Sequence, residues 1–423
     1  MLRIYYRIFI LFALAFMIGQ KASAQTDTLK VNFKDAEKLF LQNNLSLIAQ
    51  KYNVDATQAL VKQAKLWDNP VLSTDQNITD ANKKFFDHSN GNGQILVQLS
   101  QVFKTAGKRG KQVQIANDDV NIQQAQFNDL LRNLHYNLLL DFSQVANLID
   151  QRKVYQTEIA SATNMVNATD KSYQAGNNSL KDLIRLKALL FGLQNDLVEI
   201  DRQINDLQSE LKTLLVANQE QFIAPQITFN NTDTTLNAND LSALAKANRG
   251  DYLANQYLLD QNNHNLSLQK ALAVPDVTIG STFDQNSSYA RNFVGLEISL
   301  PLPIFNRNQG NIKNAKLAAQ SQEYTLKNSE LQVKNDVYSA VQQYKLSQQL
   351  LGNRENDFYA KYDQLFKGMS KAYQLKQINL QEYVDFFDSY RETKIKILQQ
   401  QLNLQKAIAD LNFAVGTTVV TPL

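Results

Sequence analysis

KQVQIANDDVNIQQAQFNDLLRNLHYNLLLDFSQVANLIDQRKVYQTEIASATNMVNATDKSYQA, Lys111 to Ala175, runs for 65 residues without a glycine or a proline. Those are the two residues that most strongly interrupt helices, so the stretch reads as one helix, roughly 95 Å long at 1.5 Å per residue. Its apolar positions advance by threes and fours, through Val113, Ala116, Val120, Phe127, Leu131, Leu134, Leu138, Phe142, Val145 and Ile149. That is a narrow seam for packing against another helix, as in coiled coils.

A turn through YQAGNNS (Tyr173–Ser179) leads into a return helix ending near Val216. The same plan recurs 200 residues later. Gly110 matches Gly310, Tyr173-Gln174 matches Tyr373-Gln374, Leu180 matches Leu380, Asp182 pairs with Glu382, and Glu210-Leu211 with Asp410-Leu411. In the second copy a helix from Asn311 to about Ala372 reaches a turn through YQLKQIN, and a return helix covers Leu380 to Val415; Gly352 and Gly368 mark bends in the ascending helix. Repetition of whole elements in order points to an internal duplication. Each copy opens with a shorter helix, Phe33 to Leu66 and Ala238 to Ala271, the second capped by Asn239 or Asp240. Pro70 and Pro275 stop them.

Between the opening helix and the long hairpin, each copy carries two short strands. Val294, Leu296, Ile298 and Leu300 alternate with Gly295, Glu297 and Ser299; Val277, Ile279 and Phe283 alternate with Thr278 and Thr282; Ile95, Val97 and Leu99 alternate with Gln98 and Ser100. Val71 to Asn77 supplies a weaker fourth, and polar loops at Ile78–Asn92 and Gln285–Arg291 make hairpins of the pairs. Four strands cannot close a transmembrane barrel, since such barrels begin at about eight; if these strands enter a membrane, several chains share one barrel.

Residues 1–24 read as a secretory signal: Arg3 and Arg7, an apolar run from Ile8 to Ile18, and Ala22-Ser23-Ala24 before the cut. The run is too short to span a bilayer as a helix. Loss of Arg3, Arg7 and Lys21 leaves 40 basic and 40 acidic side chains, which argues against a nucleic-acid binder. The chain has no cysteine, which excludes disulfides, thiolate metal sites and a lipid-bearing N-terminal cysteine. No catalytic, cofactor or metal site is expected: the three histidines, His88, His135 and His264, are scattered, His135 reads as an interhelical packing residue, and no nucleophile elbow, metal-ligand spacing or phosphate loop is present. The domain plan is a signal (1–24), a first repeat (25–217), a linker (218–239), a second repeat (240–417) and a tail (418–423).

The order helix, hairpin, long helical hairpin, twice over, resembles the TolC-type outer-membrane efflux proteins across the whole mature chain. The most specific stretches are LSQVFKTAGKRG (Leu99–Gly110) and ISLPLPIFNRNQG (Ile298–Gly310); the second is similar to the cobalt–zinc–cadmium resistance branch. The resemblance implies a mainly α fold with a small β part. Three chains would pool their strands into a twelve-stranded outer-membrane barrel, and their long helices into a periplasmic α-barrel. It implies a homotrimer, a periplasmic adaptor, an inner-membrane RND-type pump, surrounding outer-membrane lipid, and passive export of metal cations or organic compounds.

Within that resemblance, the turns at 173–179 and 373–379 form the periplasmic tip, with Tyr173, Gly176, Tyr373 and Lys376 as adaptor contacts. Lys376 departs from the family's glycine. Glu382, Asp385 and Asp182 match gate carboxylates; the alternative is that they are helix N-terminal acids favoured by the dipole. Gly107, Lys108, Arg109, Gly110, Pro301, Pro303, Arg307 and Gly310 form the barrel–tunnel junction: prolines end the ladder, glycines allow tight turns, and Lys108 and Arg109 face a membrane surface or are simply solvated. Trp67 belongs to an interfacial aromatic belt or to local packing. Two rivals remain open, a coiled-coil scaffold with a soluble sheet and an adaptor bridging pump and duct.

Overall fold

The computed structural model describes residues 28–79, 83–88, 93–227, 236–352 and 356–422; the expected signal sequence lies outside them. The chain divides into two compact units, one of residues 28–40 and 141–227, the other of 41–140 and 236–422.

The first unit contains strand β1 (Thr28–Asn32), the start of helix α1 (Phe33–Asn43), the second half of α3 (Lys108–Gln174), α4 (Leu180–Leu215) and β4 (Phe222–Gln226). β1 and β4 pair in parallel, Leu29 opposite Ile223. The expected linker 218–239 thus carries a strand, at its polar edge. Gln208 of α4, itself buried, explains the position: its amide donates to the Ile223 carbonyl at 2.7 Å and its oxygen accepts from the Ile223 N–H at 2.9 Å. Phe33 meets Phe142 edge-on at 5.6 Å in the same core.

The second unit contains α2 (Leu45–Ala64), β2 (Val71–Gln76), β3 (Ile95–Phe103), the first half of α3, α5 (Ala238–Asn248), α6 (Gly250–Leu272), β5 (Val277–Asn286), β6 (Arg291–Ser299), α7 (Gln309–Gly352), α8 (Asn356–Gln374) and α9 (Leu380–Val415). The four strands form one antiparallel sheet in the order β2-β3-β5-β6, so β3 and β5 join the two repeats. α2 touches α3 through Gln50 and Gln123, α3 touches α6 through Asp118 and His264, and α6 packs on α7 with Gln322 donating to the Asn255 carbonyl. Helices therefore line up as α2-α3-α6-α7, in the same order as their strands.

Each opening helix, expected to be continuous, is broken, at Asn44 and at Arg249. Asn44 caps α2, its side-chain oxygen accepting from the Ser46 and Leu47 N–H groups; this local bond competes with the helix. At the second break Gly250 abuts α3 so closely that a Cβ there would lie 2.2 Å from the Ala125 carbonyl oxygen. Buried Arg249 pairs with Asp251 and Asp336, and both it and Arg132 donate to the last carbonyls of α9, Ala414 and Phe413. Cations at a helix C-terminus oppose the dipole's negative end. The cap of α5 is Asn237, not Asn239 or Asp240. Gly352 does end α7, whereas Gly368 lies inside α8.

Asp141 is buried in the first unit, and burial, with the Glu210 carboxylate nearby, raises its pKa to about 7. An aspartate normally titrates near 4, so between about pH 4 and 7 the folded chain holds a proton that the unfolded chain lacks, and stability falls as pH rises through that window. Asp141→Asn removes this dependence. Its melting temperature should exceed that of the unsubstituted chain by more at about pH 8 than at about pH 5; a gap that is constant with pH refutes the assignment.

Candidate functional site

Pairing registers fix the faces of the sheet. Leu72 lies opposite Leu99, Val97 opposite Phe283, Phe283 opposite Val294, and Ile279 opposite Ile298. The three alternating runs read separately in the sequence thus fall on one face, and that face is open: Leu72 is 66 % exposed, Leu296 75 % and Val294 69 %. All four charged residues of the strands, Asp75, Asp284, Arg291 and Glu297, take the opposite face. There Glu297 accepts a hydrogen bond from the Gln98 amide across β5. Gly280, between them, presents no side chain, and a Cβ there would sit 3.7 Å from that of Glu297. An apolar wall backed by a charged one is what a lipid-facing barrel wall around a water-filled lumen requires.

The junction residues separate into distinct roles. Lys108 is buried, its ammonium 2.6 Å from both Asp276 Oδ1 and the Val274 carbonyl, while Asp276 also accepts from the Thr105 N–H. Burial disfavours the Asp276 carboxylate, but the Lys108 and Thr105 hydrogen bonds and the Lys108 charge outweigh it and hold its pKa below the ordinary value. Lys108 thus ties the start of α3 to the start of β5. Arg109 instead lies over the Trp67 ring, 3.8 Å from its centre. Gly107 takes the left-handed backbone (φ +68) before α3, and Asn308 (φ +59) does so before α7. Gly110 and Gly310 lie in ordinary helical first turns with open space around them, so the tight turns expected of them fall to the earlier residues. Pro301, Pro303 and Arg307 lie in the exposed stretch between β6 and α7.

The two hairpin turns, each within its own unit, share one hydrogen-bond pattern. The Gly176 N–H donates to the Tyr173 carbonyl at 2.9 Å and the Asn177 N–H to Ser172 at 2.8 Å; the Lys376 N–H donates to Tyr373 at 2.9 Å and the Gln377 N–H to Ala372 at 2.9 Å. These are Schellman motifs. Lys376 adopts φ +57 where Gly176 has +74, so the lysine keeps the turn at a steric cost. Glu382 closes a capping box with Asn379, and the Asp182 N–H donates to Ser179. Two of the three expected gate acids, Glu382 and Asp182, thus occupy helix N-terminal positions, and the third, Asp385, is exposed one turn beyond Glu382. In the second hairpin Tyr373 stacks on Tyr383 at 5.0 Å and Phe366 on Tyr390 at 4.1 Å; Leu183, Val166 and Leu190 hold three of the corresponding places in the first hairpin. Among the described residues no group of three potential metal ligands converges, and no helix is long and apolar enough to cross a membrane.

Residues 38–216 match the family model described as outer membrane efflux protein. The cobalt-zinc-cadmium resistance protein CzcC of Cupriavidus metallidurans is 22 % identical over 395 residues, covering 90 % of this chain and 91 % of that protein. The chain is similar to the outer membrane efflux proteins. Solved relatives share its fold: CusC, whose structures concern transmembrane channel formation, at 14 % identity with a TM-score of 0.75 over 94 % of this chain and 95 % of CusC, and the outer membrane protein VceC of Vibrio cholerae at 16 % with a TM-score of 0.72 over 92 % and 97 %.

The sequence reading missed the Arg249–Asp251–Arg132 cluster, the Arg109–Trp67 stack and the left-handed Lys376. Only the last had a signal, its place opposite Gly176. A non-glycine residue in this conformation costs roughly 1 kcal/mol, so Lys376→Gly should raise the unfolding midpoint of the protein in denaturant by an equivalent amount, offset in part by glycine's greater freedom when unfolded. A lowered midpoint would contradict the turn geometry.

Proposed function

We propose that three copies of this chain close into one exit duct, passing cargo from a periplasmic adaptor and an inner-membrane RND-type pump to the exterior without bond chemistry. The observation that carries this reading is the pair of unsatisfied edges on the sheet. β2 and β6 each have one neighbour, and bare backbone donors and acceptors do not persist in lipid. Because the strand count per chain is even, β6 of one copy meets β2 of the next antiparallel, and every copy closes the same way.

The helices beneath offer matching edges. α7 exposes Leu317, Tyr324, Leu331 and Tyr338 at seven-residue intervals, and α2 exposes Leu45, Ile48, Tyr52 and Leu60. A strict seven-residue repeat is the signature of a supercoiled helix pair. These two helices lie at opposite ends of the α2-α3-α6-α7 row, so α7 of one copy packs on α2 of the next, directly below the β6–β2 joint. The matching order of strands and helices favours this ring over a scaffold with a soluble sheet.

Leu331→Asp should break the ring, since each copy would set a charge in a seam where leucine burial contributes about 2 kcal/mol. Light scattering in detergent should find a monomer, with Leu331→Met remaining trimeric. A trimeric Leu331→Asp protein would place the joint elsewhere.

Metal cations are the proposed cargo class, suggested by the likeness to the cobalt-zinc-cadmium resistance protein and by a lumen wall bearing three carboxylates and one arginine per chain. The turns at Tyr173–Gly176 and Tyr373–Lys376 are the proposed adaptor contacts, and Glu382 with Asp385, together with Asp182, the proposed gate acids. Glu382 also serves its capping box, so its charge and its cap must be tested apart. Glutamine preserves a capping box; Glu382→Gln with Asp385→Asn removes charge alone. In planar bilayers the cation-over-anion preference should fall by roughly fivefold, the equivalent of about 1 kcal/mol. An unchanged reversal potential would eliminate the gate assignment.

A further inference from the structure

At the helical end of the sheet, the apolar face finishes in a stepped arrangement. Phe103 is the last outward residue of β3, on the face of Ile95, Val97 and Leu99. Trp67 meets Phe103 edge-on at 6.4 Å and is 60 % exposed. The Arg109 guanidinium covers Trp67 at 3.8 Å. Polarity thus rises from hydrocarbon to indole to a fixed cation over three side chains.

The neighbouring charges sharpen the contrast. The Lys104 ammonium is held by Asp68 at 3.1 Å and that of Lys108 by Asp276 at 2.6 Å. Arg109 has no carboxylate partner among the described residues, and neither has Lys65, two residues before Trp67. The two acids at this rim are therefore already neutralised, and what remains faces outward as net positive charge. A guanidinium held flat by an aromatic ring keeps its in-plane N–H donors at the edge of the stack, where they match the paired oxygens of a phosphodiester.

We propose that Arg109, seated on Trp67, binds the phosphodiester of an anionic phospholipid, phosphatidylglycerol, in the periplasmic leaflet of the outer membrane, with Lys65 adding attraction. The inference rests on the reading that the sheet spans the membrane. It adds a defined headgroup site, fixed in depth by the Phe103–Trp67 contact. Charge complementarity selects the anionic lipid, and continuity with the lipid-facing wall selects a membrane component over a soluble phosphate. The lipid would hold the barrel–tunnel junction at the level of the phosphates, so that the sheet neither sinks nor rises.

Trp67 is the chain's one tryptophan, so its fluorescence reports on this site. The full chain is reconstituted into phosphatidylcholine vesicles containing equal fractions of either phosphatidylglycerol or phosphatidylcholine brominated near the headgroup. Both should quench Trp67, the anionic lipid about fivefold more effectively at low salt, with the preference shrinking as ionic strength rises. Arg109→Gln should keep quenching by phosphatidylcholine and lose the preference, while Arg109→Lys retains part of it. Equal quenching by both lipids in the unsubstituted protein overturns the headgroup site while leaving the sheet in the bilayer. A preference that survives Arg109→Gln overturns the role of Arg109. Absence of quenching in vesicles that the protein makes permeable to ions overturns the site by placing Trp67 away from lipid; absence in vesicles that stay sealed counts against both this site and the membrane-spanning sheet.

Discussion

A β-sheet with two bare edges cannot rest in hydrocarbon. Each unpaired N–H and C=O on an edge strand would lose its water partner and find none in lipid, at a cost of several kcal/mol per group. The four strands of this chain, ordered β2-β3-β5-β6, leave two such edges, and one face of the sheet is an open apolar surface. In water that face would drive aggregation; in lipid the edges must close. The proposed assembly would satisfy both demands together, and the helices, following the same order as the strands, are arranged to allow it. Because the helix beside each edge strand stands at an end of the α2-α3-α6-α7 row, one rotation would close both layers of the proposed ring.

The two copies of the plan are not equivalent. α4 and α9 span matching positions and both end in a left-handed residue, Val216 in the first and Gly416 in the second. Their partners diverge. The second hairpin is packed with stacked aromatic rings, whereas the corresponding first-hairpin positions named above are aliphatic. The first unit carries instead the Asp141–Glu210 pair and a small parallel sheet. Two identical hairpins would respond alike to strain; these two are chemically different.

What could be read from the sequence followed from periodicity. Long helices without glycine or proline, alternating strands and a 200-residue repeat are patterns that chain geometry imposes before any tertiary contact forms, and they produced the element order. What could not be read depends on partners far apart in the chain. β1 and β4 are five residues each, too short for periodicity to register, and β4 is positioned by a glutamine side chain from α4. The break at Arg249 arises because Gly250 lies against α3, more than a hundred residues away. At Gly110 and Gly310 composition suggested a tight turn, but the left-handed residues were Gly107 and Asn308, since asparagine also tolerates that conformation.

The same limit explains the junction. Lys108 and Arg109 are adjacent and similar in sequence, yet one is buried against Asp276 and the other lies on the face of Trp67. Their difference is rotational: consecutive helical residues point about 100° apart, so the first turn of α3 directs one cation into the joint between repeats and the next toward the apolar wall. Lysine suits the inner place, where a compact ammonium reaches both a carboxylate and a carbonyl. Arginine suits the outer one, where a planar cation can stack on indole and still present donors at its edge. A pair that reads as one basic patch is thus a structural tie and a surface contact, and exchanging the two residues would degrade both.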